Sequence, residues 1–411
     1  MSEPGMPQAP RRAALTFIFV TVVLDMLALG MVVPVLPHLI EDFLGGDIPR
    51  AAQLVGFFST VWAVMQFFSM PVMGALSDRF GRRPVILLSN FGLGLDYVLM
   101  ALAPTLSWLF VGRLISGVTA ASVSTSMAYV ADVTPPERRA QSFGFVGVAF
   151  GVGFVLGPAI GGLLGSVDPR LPFWAAACAS LLNAAYGFFI LPESLAPDRR
   201  RAFEWRRANP LGSLRFLRAH HEVFALAGAS FLSSLTHAVL PAVFVLYAAY
   251  RYGWDEKAVG LALAGVGTAS ALVQGALVGP LVRRFGERRV MIGGLLAGTA
   301  GFMLYAFAPT GLWFVAAIPI VGLWGLAAPT SQGIMTRAVG ASAQGELQGA
   351  MGSLAGIATV IGPTLFATVF AWSIRHGASW HVPGLAYALA GLLLCVAAII
   401  AARATRPQAT P

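Results

Sequence analysis

Three ionisable residues lie inside long apolar stretches of this sequence, where a charged side chain is energetically expensive. Asp25 falls in the first stretch, Asp96 in the third and Arg113 in the fourth. Burial disfavours the ionised form of a carboxylate, so either aspartate could take up and release a proton. Arg113 stays ionised, needs a counter-charge or water, and could adjust the proton affinity of a nearby aspartate. We predict that these residues couple proton movement; the alternative is structural, with an aspartate bonded to a hydroxyl or to Arg113.

A charged segment, GALSDRFGRRP at 74–84, separates the second and third apolar stretches. Asp78 and the three arginines cannot lie in hydrocarbon, so the segment must face water. Gly74 would let two helices approach closely, Gly81 permits a tight turn, and Pro84 suits the first turn of the following helix. The spacing is more specific than that of a generic basic loop, which is the alternative interpretation.

The composition places these residues in a membrane protein. Hydrophobic residues make up 57% of the 411-residue chain and charged residues 11%, whereas soluble domains carry about 25% charged residues. The net charge of +9 could suggest nucleic acid. The arginines, however, lie in short clusters between apolar stretches of membrane-spanning length, so we expect no nucleic-acid partner. Cys178 and Cys395 stand alone, without metal or disulfide spacing, and we expect no metal site.

Twelve apolar stretches are each long enough to cross a hydrocarbon core of about 30 Å at about 1.5 Å per residue. They predict an all-α membrane protein with twelve transmembrane helices. The stretches are 13–38, 53–76, 85–103, 106–130, 140–165, 172–191, 222–247, 257–281, 289–308, 311–335, 346–372 and 383–402.

The basic residues predict the orientation, because they favour the cytoplasmic side of a membrane. Twenty-one of the 27 Lys and Arg residues lie in the N-terminal tail and in every second connection after it, counting the C-terminal tail. Both termini are therefore predicted in the cytoplasm. The first stretch is too long for the apolar part of a signal peptide and has no clear cleavage site, so we interpret it as a helix of the protein.

The two halves of the chain repeat each other at a constant offset of 205 residues. We predict an N-terminal six-helix bundle at 1–191, a cytoplasmic linker at 192–221 and a C-terminal six-helix bundle at 222–411. The linker is either a short helix on the membrane surface or a disordered basic connector. The matching landmarks are GALSDRFGRR at 74–83 and GPLVRRFGER at 279–288, Ala103-Pro104 and Ala308-Pro309, Trp108 and Trp313, and Gly157-Pro158 and Gly362-Pro363.

A glycine-rich stretch at 144–162 ends in GPAIGG. Small residues let helices touch and a proline bends a helix, so close packing explains the stretch by itself. Its GxxxGPxxGG pattern also resembles the fifth-helix signature of drug/proton exchangers.

Other segments extend this resemblance over nearly the whole chain. DMLALGMVVPVLP at 25–37, LDY at 95–97 and GRLISGVT at 112–119, together with the charged and glycine-rich segments, resemble the tetracycline/proton antiporter family of the major facilitator superfamily. The resemblance implies two pseudo-symmetric six-helix bundles. It also implies a proton-coupled antiporter that exports a small amphipathic compound, tetracycline or a related drug, by alternating access.

The resemblance further implies roles for particular residues. The two aspartates and the arginine of the apolar stretches match the family's membrane acids and buried arginine. Gln66 and Gln274 match glutamines of the drug path. The charged segment matches a cytoplasmic latch in which Asp132 pairs with Arg82. The implied latch residues are Gly74, Asp78, Arg79, Gly81, Arg82, Arg83 and Asp132.

The sequence departs from this family in its second half. Family members that handle tetracycline carry an acid in the ninth helix, whereas 291–308 contains none and Gly298 lies near the expected place. A histidine expected in the eighth helix is also missing, with Ser270 about where it would be. The seventh stretch carries His237 instead, which is either a hydrogen-bonded structural residue or part of the substrate path. The departure predicts that the substrate differs from a metal–tetracycline chelate.

Other classes of function fit the sequence less well. It has no ATP-binding motif, so we expect an ion gradient as the driving force and no cofactor. An enzyme would need a nucleophile–base pair or a metal cluster, which the apolar stretches lack, so we expect no enzymatic activity. A sugar or metabolite transporter is the nearest alternative, and a receptor that does not transport is a more distant one. We expect a protein of the bacterial inner membrane that functions as a monomer.

Overall fold

A computed structural model describes the protein over residues 8–120, 122–135, 138–200, 214–340, 343–380 and 382–406. Within these ranges the chain is helical and forms no strand. A π-helical turn, Val273–Leu277, lies between α12 and α13 of the helices that follow. The α-helices are α1 Gln8–Val32, α2 Leu36–Phe43, α3 Ile48–Phe80, α4 Arg82–Leu102, α5 Leu106–Thr119, α6 Ser122–Val133, α7 Arg139–Gly165, α8 Leu171–Ile190, α9 Arg215–Ala219, α10 His221–His237, α11 Val239–Tyr252, α12 Glu256–Leu272, α13 Val278–Phe285, α14 Glu287–Phe307, α15 Gly311–Ala316, α16 Ile318–Gly322, α17 Ala327–Ala338, α18 Gln344–Trp380 and α19 Leu385–Ala404.

Twelve helical spans in the described ranges are long and apolar enough to cross a membrane. They confirm the predicted all-α membrane protein with twelve membrane-spanning helices. The spans are Thr16–Phe43, Ile48–Phe80, Arg82–Leu102, Leu106–Val133, Ser142–Gly165, Leu171–Ile190, Val223–Tyr252, Glu256–Phe285, Glu287–Phe307, Gly311–Ala338, Gln344–His376 and Leu385–Ala404.

The first membrane span is two helices separated by a turn, whereas the sequence predicted a single continuous helix. α1 ends at Val32 and α2 begins at Leu36, with a three-residue turn between them. Pro34 has no N–H with which to continue α1. Pro37 lies in the first turn of α2, where a missing N–H leaves no helical hydrogen bond unmade.

Contacts divide the chain into two compact units. The first unit comprises residues 1–36 and 64–209, and the second comprises 37–63 and 210–411. This grouping assigns 37–63 to the second unit, whereas the repeat predicts a bundle that runs continuously from residue 1 to 191. The division of the chain at 192–221 therefore stays a prediction.

The first unit is built around close packing of α1 on α7. A Cβ atom at Gly157 would lie 2.7 Å from Gly30 Cα, and one at Gly153 would lie 2.8 Å from the Val23 carbonyl oxygen. Neither position can carry a side chain without moving backbone. At Gly151, by contrast, a Cβ would meet no atom of the described residues within 4 Å. Only part of the glycine-rich stretch therefore mediates helix packing, and that part holds the helix that carries Asp25.

In the second unit, the early part of α3 packs on α18. The Thr60 hydroxyl donates to the Val360 carbonyl at 2.9 Å and lies 2.8 Å from the Thr364 hydroxyl. A Cβ at Gly56 would lie 2.9 Å from the Pro363 carbonyl oxygen, so the glycine permits this approach. These contacts explain why residues 37–63 group with the second unit.

The predicted linker is described only in part. Residues 201–213 lie outside the described ranges, whereas most of the sequence predicted as a surface helix, from 214 onward, lies within them. The following residues form the short helix α9, in which Phe216 and Leu217 are buried.

Candidate functional site

Asp25 lies on α1 and is buried within the first unit, with 5% of its surface exposed. The amide Nδ2 of Asn183, on α8, donates to Asp25 Oδ1 at 3.0 Å and to the Thr21 carbonyl at 3.2 Å. The carboxylate therefore has a fixed hydrogen-bond partner on another helix. Sequence reasoning missed Asn183, although an asparagine inside an apolar spanning stretch is itself a signal.

Asp96 lies on α4 and is 1% exposed. Neither of its carboxylate oxygens has a hydrogen-bond partner among the described residues. A Cβ at Gly112 would lie 3.0 Å from Asp96 Oδ1, so this glycine leaves room for the carboxylate. Arg113, the next residue on α5, is buried as well and is the cation that acts on Asp96. The first unit thus brings two of the three predicted coupling residues together.

Tyr97 links this pair to the first aspartate. Its side chain is buried, and it interacts electrostatically with Asp25, Asp96 and Arg113. All three ionisable residues singled out in the apolar stretches therefore belong to one interior region of the first unit, into which α1, α4 and α5 project them.

The predicted latch begins at a turn between α3 and α4. Gly81 adopts φ +107°, a backbone conformation that residues with a side chain rarely adopt. Pro84 lies in the first turn of α4. The close helix approach predicted for Gly74 is left as a prediction, since a Cβ there would have no described neighbour within 4 Å. Its contribution is a carbonyl that accepts the Ser77 hydroxyl at 2.8 Å.

Arg82 is the centre of an ion-pair network in the latch. Its Nη1 lies 2.6 Å from Asp78 Oδ1, and its Nε donates to Asp132 Oδ2 at 3.1 Å. Nη1 also donates to the Ser77 hydroxyl at 2.6 Å. The Arg82 side chain is only 11% exposed. Planar guanidinium groups suit several simultaneous partners, so this geometry holds α3, α4 and α6 at one point.

Glu193 caps the start of α4 from a distant part of the chain. Its carboxylate accepts the backbone N–H of Arg82 at 2.8 Å and that of Arg83 at 3.2 Å. The first N–H groups of a helix have no intrahelical acceptor and attract an anion. A Cβ at Gly81 would lie 2.7 Å from Glu193 Cδ, so the turn needs glycine for space as well as for φ.

The segment around Glu193 makes further contacts with the latch. The Ser194 hydroxyl donates to Asp132 at 3.2 Å, and the Tyr129 hydroxyl donates to the Pro192 carbonyl at 3.1 Å. Arg83 Nη2 donates to the Phe188 carbonyl at 2.6 Å. The sequence analysis singled out Arg83 but none of its partners. No spacing rule could have found them, because they are more than 50 residues away from the charged segment.

Arg79 makes a weaker contact than its neighbours in the charged segment. Its guanidinium lies 5.0 Å from the centre of the adjacent Phe80 ring, and both residues are exposed. The predicted part of Arg79 in the latch is therefore left as a prediction.

The predicted substrate-path residues fall in both units. Gln66 lies on α3 in the first unit and is half-buried. Gln274 lies in the π-helical turn of the second unit, beside Gly325. Such turns occur often at functional sites. His237 ends α10, and its ring stacks on Trp324 with centroids 4.0 Å apart and an angle of 27°.

The helices around Gly298 leave no room for an acidic side chain at that position. A Cβ at Gly298 would lie 2.7 Å from Leu394 Cδ1 and 3.0 Å from Trp324 Cβ. A carboxylate would need both neighbours to move and would enter a close-packed apolar region without a partner. The tryptophan therefore occupies the space that an acid would use.

The second unit contains a counterpart of the latch turn. Gly286 adopts φ +77° and precedes α14, which begins with Glu287. Arg337, at the end of α17, donates from Nη1 to Glu287 Oε1 at 2.8 Å. Arg288 donates to the Thr405 hydroxyl at 3.1 Å and to the Ala402 carbonyl at 3.2 Å.

Comparison with known proteins agrees with this architecture. Residues 18–232 and 226–411 match the family model of the Major Facilitator Superfamily. The chain is 38% identical to the class C tetracycline resistance protein of Escherichia coli, over 94% of this chain and 96% of the relative. It is 32% identical to the class B protein of Escherichia coli, over 90% and 91%.

Solved structures show the same fold. The human organic anion transporter MFSD10 (TETRAN) superposes with a TM-score of 0.70 at 24% identity, over 96% of this chain and all of that one. The nucleoside transporter NupG superposes with a TM-score of 0.78 at 13% identity, over 96% and 100%.

Proposed function

Because this chain belongs to the Major Facilitator Superfamily, we propose that it is a proton-coupled antiporter that exports a small amphipathic, tetracycline-like compound. Two points support this function: tetracycline resistance proteins share 32–38% of its residues over most of its length, and its first unit buries acids. The observation that carries the coupling is Asp96, a buried carboxylate without a hydrogen-bond donor among the described residues and next to Arg113.

Proton coupling is assigned to the first unit. Asp96 gains a proton from one side of the membrane and loses it to the other, and Arg113 favours the ionised form after release. Asp25 is the second proton site, and Asn183 keeps its carboxylate oriented in both protonation states because the amide can donate to either form. The buried side chain of Tyr97 is near enough to both aspartates to feel their charge, so the two proton sites share one electrostatic environment.

The latch is assigned to conformational control. The ion pairs of Arg82 with Asp78 and Asp132 stabilise one state of the alternating cycle on the cytoplasmic side, and transport requires that they exchange partners. Both termini lie in the cytoplasm, the membrane is the bacterial inner membrane, and the functional unit is a monomer. The excess of basic residues in alternate connections supports the orientation.

Substrate recognition is assigned to the polar residues Gln66, His237 and Gln274. The region of Gly298 supplies no carboxylate, so a divalent cation carried with a drug gains no ligand there. We therefore expect export to depend less on Mg²⁺ than a site with a ninth-helix acid would.

Purified protein in liposomes tests the proposal through drug-stimulated proton movement. A panel that includes tetracycline, with and without Mg²⁺, is added to vesicles loaded with a pH-sensitive dye. Asp25→Asn and Asp96→Asn are each expected to abolish proton movement while counterflow exchange of the drug persists. Asp168→Asn, an acid outside the twelve spans, is the matched control and should behave as wild type.

Two results would contradict the assignment. If both asparagine variants still accumulated drug against its concentration gradient when a pH gradient was imposed, neither aspartate would be the coupling residue. Transport of a sugar or another metabolite in place of every drug in the panel would favour the alternative transporter class.

A further inference from the structure

A partly open cavity of about 370 Å³ is lined by residues of the second unit, apart from the buried acids and ion pairs, and His237 and Gln348 lie at its exposed side. Residues of α10, α14, α17, α18 and α19 line it. This volume is at the lower end of the range of about 300–1,000 Å³ that is typical of ligand sites. The cavity lies beside the last turns of α17 and the first turns of α18, which face the cytoplasm in the proposed orientation.

The polar lining of this cavity consists of hydroxyl and amide groups and the imidazole of His237. No Asp, Glu, Lys or Arg is among the lining residues. A charged ligand would lose its hydration there without meeting a counter-charge, which is unfavourable. Hydroxyl and amide groups can each donate and accept, so the cavity suits an uncharged polar molecule. The polar lining residues are Ser230, Ser233, Ser234, His237, Ser331, Gln332 and Gln348.

Some of these polar groups already have partners and some do not. The Ser230 and Ser331 hydroxyls lie 3.0 Å apart, and Ser233 accepts the indole N–H of Trp324 at 3.0 Å. Within the described ranges no hydrogen bond involves the side chains of three other lining residues. Those three, Ser234, Gln332 and Gln348, are available to a ligand.

One wall of the cavity is aromatic and rigid. His237 lines the cavity and stacks on Trp324, which in turn meets Phe302 edge to face at 5.5 Å. Gly298 packs against the same tryptophan. The remaining apolar lining includes Met291, Met335 and Met351, whose flexible thioethers adapt to different shapes. A planar ring fits such a wall, and the methionines tolerate variation in its substituents.

We propose that this cavity binds an uncharged aromatic molecule that carries hydroxyl, amine or carbonyl groups. The ring lies against His237, and its polar groups bond to Ser234, Gln332 and Gln348. The inference deepens the proposed export function by naming the chemistry of one substrate subsite. Binding to it needs no proton gradient and can be measured without transport.

The test uses the full-length protein in detergent at pH 7 and the fluorescent probe 7-amino-4-methylcoumarin, which is small, planar and uncharged. Fluorescence anisotropy is expected to show saturable binding. Gln348→Leu and Gln332→Leu should each weaken binding roughly three- to tenfold, the effect of losing one neutral hydrogen bond. Gln344→Leu is the matched control, one helical turn before Gln348 and outside the cavity lining, and should bind as wild type.

Two further measurements test the site by shape and charge. Ala328→Trp places a large side chain in the lining and should abolish binding, provided that its thermal midpoint matches wild type. Tetraphenylphosphonium, an aromatic cation, should not displace the coumarin. Displacement by this cation, equal effects of the 344 and 348 substitutions, or no saturable binding by wild type would each overturn the inference.

The outcomes separate this inference from the export proposal. Coumarin binding with the expected variant effects, but without drug-stimulated proton movement in liposomes, would contradict only the export proposal. Proton-coupled drug export that is unaffected in Gln332→Leu and Gln348→Leu, with no coumarin binding, would contradict only the cavity assignment.

Discussion

The two glycine turns of this protein have the same backbone design and opposite charges. At an offset of 205 residues, Arg82 corresponds to Glu287 and Asp132 to Arg337. Each pair forms a salt bridge within its own unit, and each turn is made by a glycine with positive φ. The charges, however, are exchanged: the helix-starting residue is basic in the first unit and acidic in the second, and its partner has the opposite charge in each.

The difference in sign has a consequence for the helix that follows each turn. α14 begins with a carboxylate, Glu287, which is favourable beside the positive helix N-terminus. α4 begins with Arg82 and Arg83, which is unfavourable there. The first turn therefore uses a carboxylate from elsewhere, Glu193, to accept the free N–H groups.

The two junctions also differ in burial. The Arg82 side chain is 11% exposed and contacts two carboxylates and a hydroxyl, whereas the Arg337 side chain is 63% exposed. Exposed pairs contribute about 0–1 kcal/mol, and breaking a buried pair costs roughly 3–5 kcal/mol. The repeat therefore preserves backbone geometry, while only the first junction has a nearly buried arginine shared by two carboxylates.

Exchanging the charges of the first junction should have the largest effect. In the double variant Arg82→Glu with Asp132→Arg, a new carboxylate would face Glu193 at the start of α4. We expect export in vesicles to fall below about a tenth of wild type, because like charges held close in a partly buried site repel strongly. Adding Glu193→Gln should restore part of the export activity.

The matched control is the exchange in the second junction, Glu287→Arg with Arg337→Glu, which should keep most of the export activity. Equal losses of export in the two exchange variants would show that the junctions do not differ in function.

Removing the arginine from each junction in turn should give the next largest difference, in thermal stability. Arg82→Ala leaves Asp78 and Asp132 without their cation and should cost roughly 1–2 kcal/mol of stability, between the values for exposed and buried pairs, because the two carboxylates are partly solvated. Arg337→Ala should cost about 0–1 kcal/mol, because the pair is exposed. Thermal unfolding in detergent, followed by intrinsic fluorescence, measures both. Similar midpoints for the two variants would show that the burial difference is unimportant.

Neutralising the two helix-terminal carboxylates should have a smaller effect. Glu193→Gln weakens two backbone caps and should reduce export several-fold, since a charge-assisted hydrogen bond contributes about 1.5–3 kcal/mol. Glu287→Gln should reduce export less than twofold, because it removes an interaction with the helix N-terminus and an exposed arginine that contributes about 0.3–1 kcal/mol. Initial export rates in everted vesicles distinguish the two. If Glu287→Gln reduced export more than Glu193→Gln, the latch would have to be assigned to the second junction instead of the first.

The smallest expected effect is a difference in salt dependence. At about 1 M salt the screening length falls to about 3 Å, which weakens exposed pairs far more than buried ones. The loss of thermal stability caused by Glu287→Gln should therefore vanish at high salt, and that caused by Glu193→Gln should persist. If high salt removed the stability loss of both Glu193→Gln and Glu287→Gln, the first junction would be as accessible to solvent as the second.

Much of the fold was predictable because its signals are local. Twelve apolar stretches of spanning length predict twelve helices, and the structure has them, with bounds shifted by several residues. The positive φ of Gly81 and the place of Pro84 also follow from residue type. The close approach at Gly74 stays a prediction: no described residue lies within 4 Å of a Cβ there, and a glycine in a sequence does not reveal which neighbour it serves.

The candidate site was predictable in its ionisable members and unpredictable in their partners. Asp25, Asp96 and Arg113 stand out because charges are rare in apolar stretches. Asn183 and Glu193 could not be assigned to Asp25 and Arg82, since they lie 158 and 111 residues away. The absence of an acid near Gly298 was visible in the sequence, but the packing of Leu394 and Trp324 against that position was not.

The sequence by itself determined where the chain can cross a membrane, which ionisable groups must lie within the spans, and that one design is used twice. These properties depend on side-chain transfer energies summed along a single helix and on comparison at one offset. Only the tertiary structure decided which helix supplies each partner, which glycines are in contact, and where a neutral cavity lies. Those properties depend on distances of a few ångströms between helices that are remote in the chain, and hydrogen bonds and close packing are sensitive to distances on that scale.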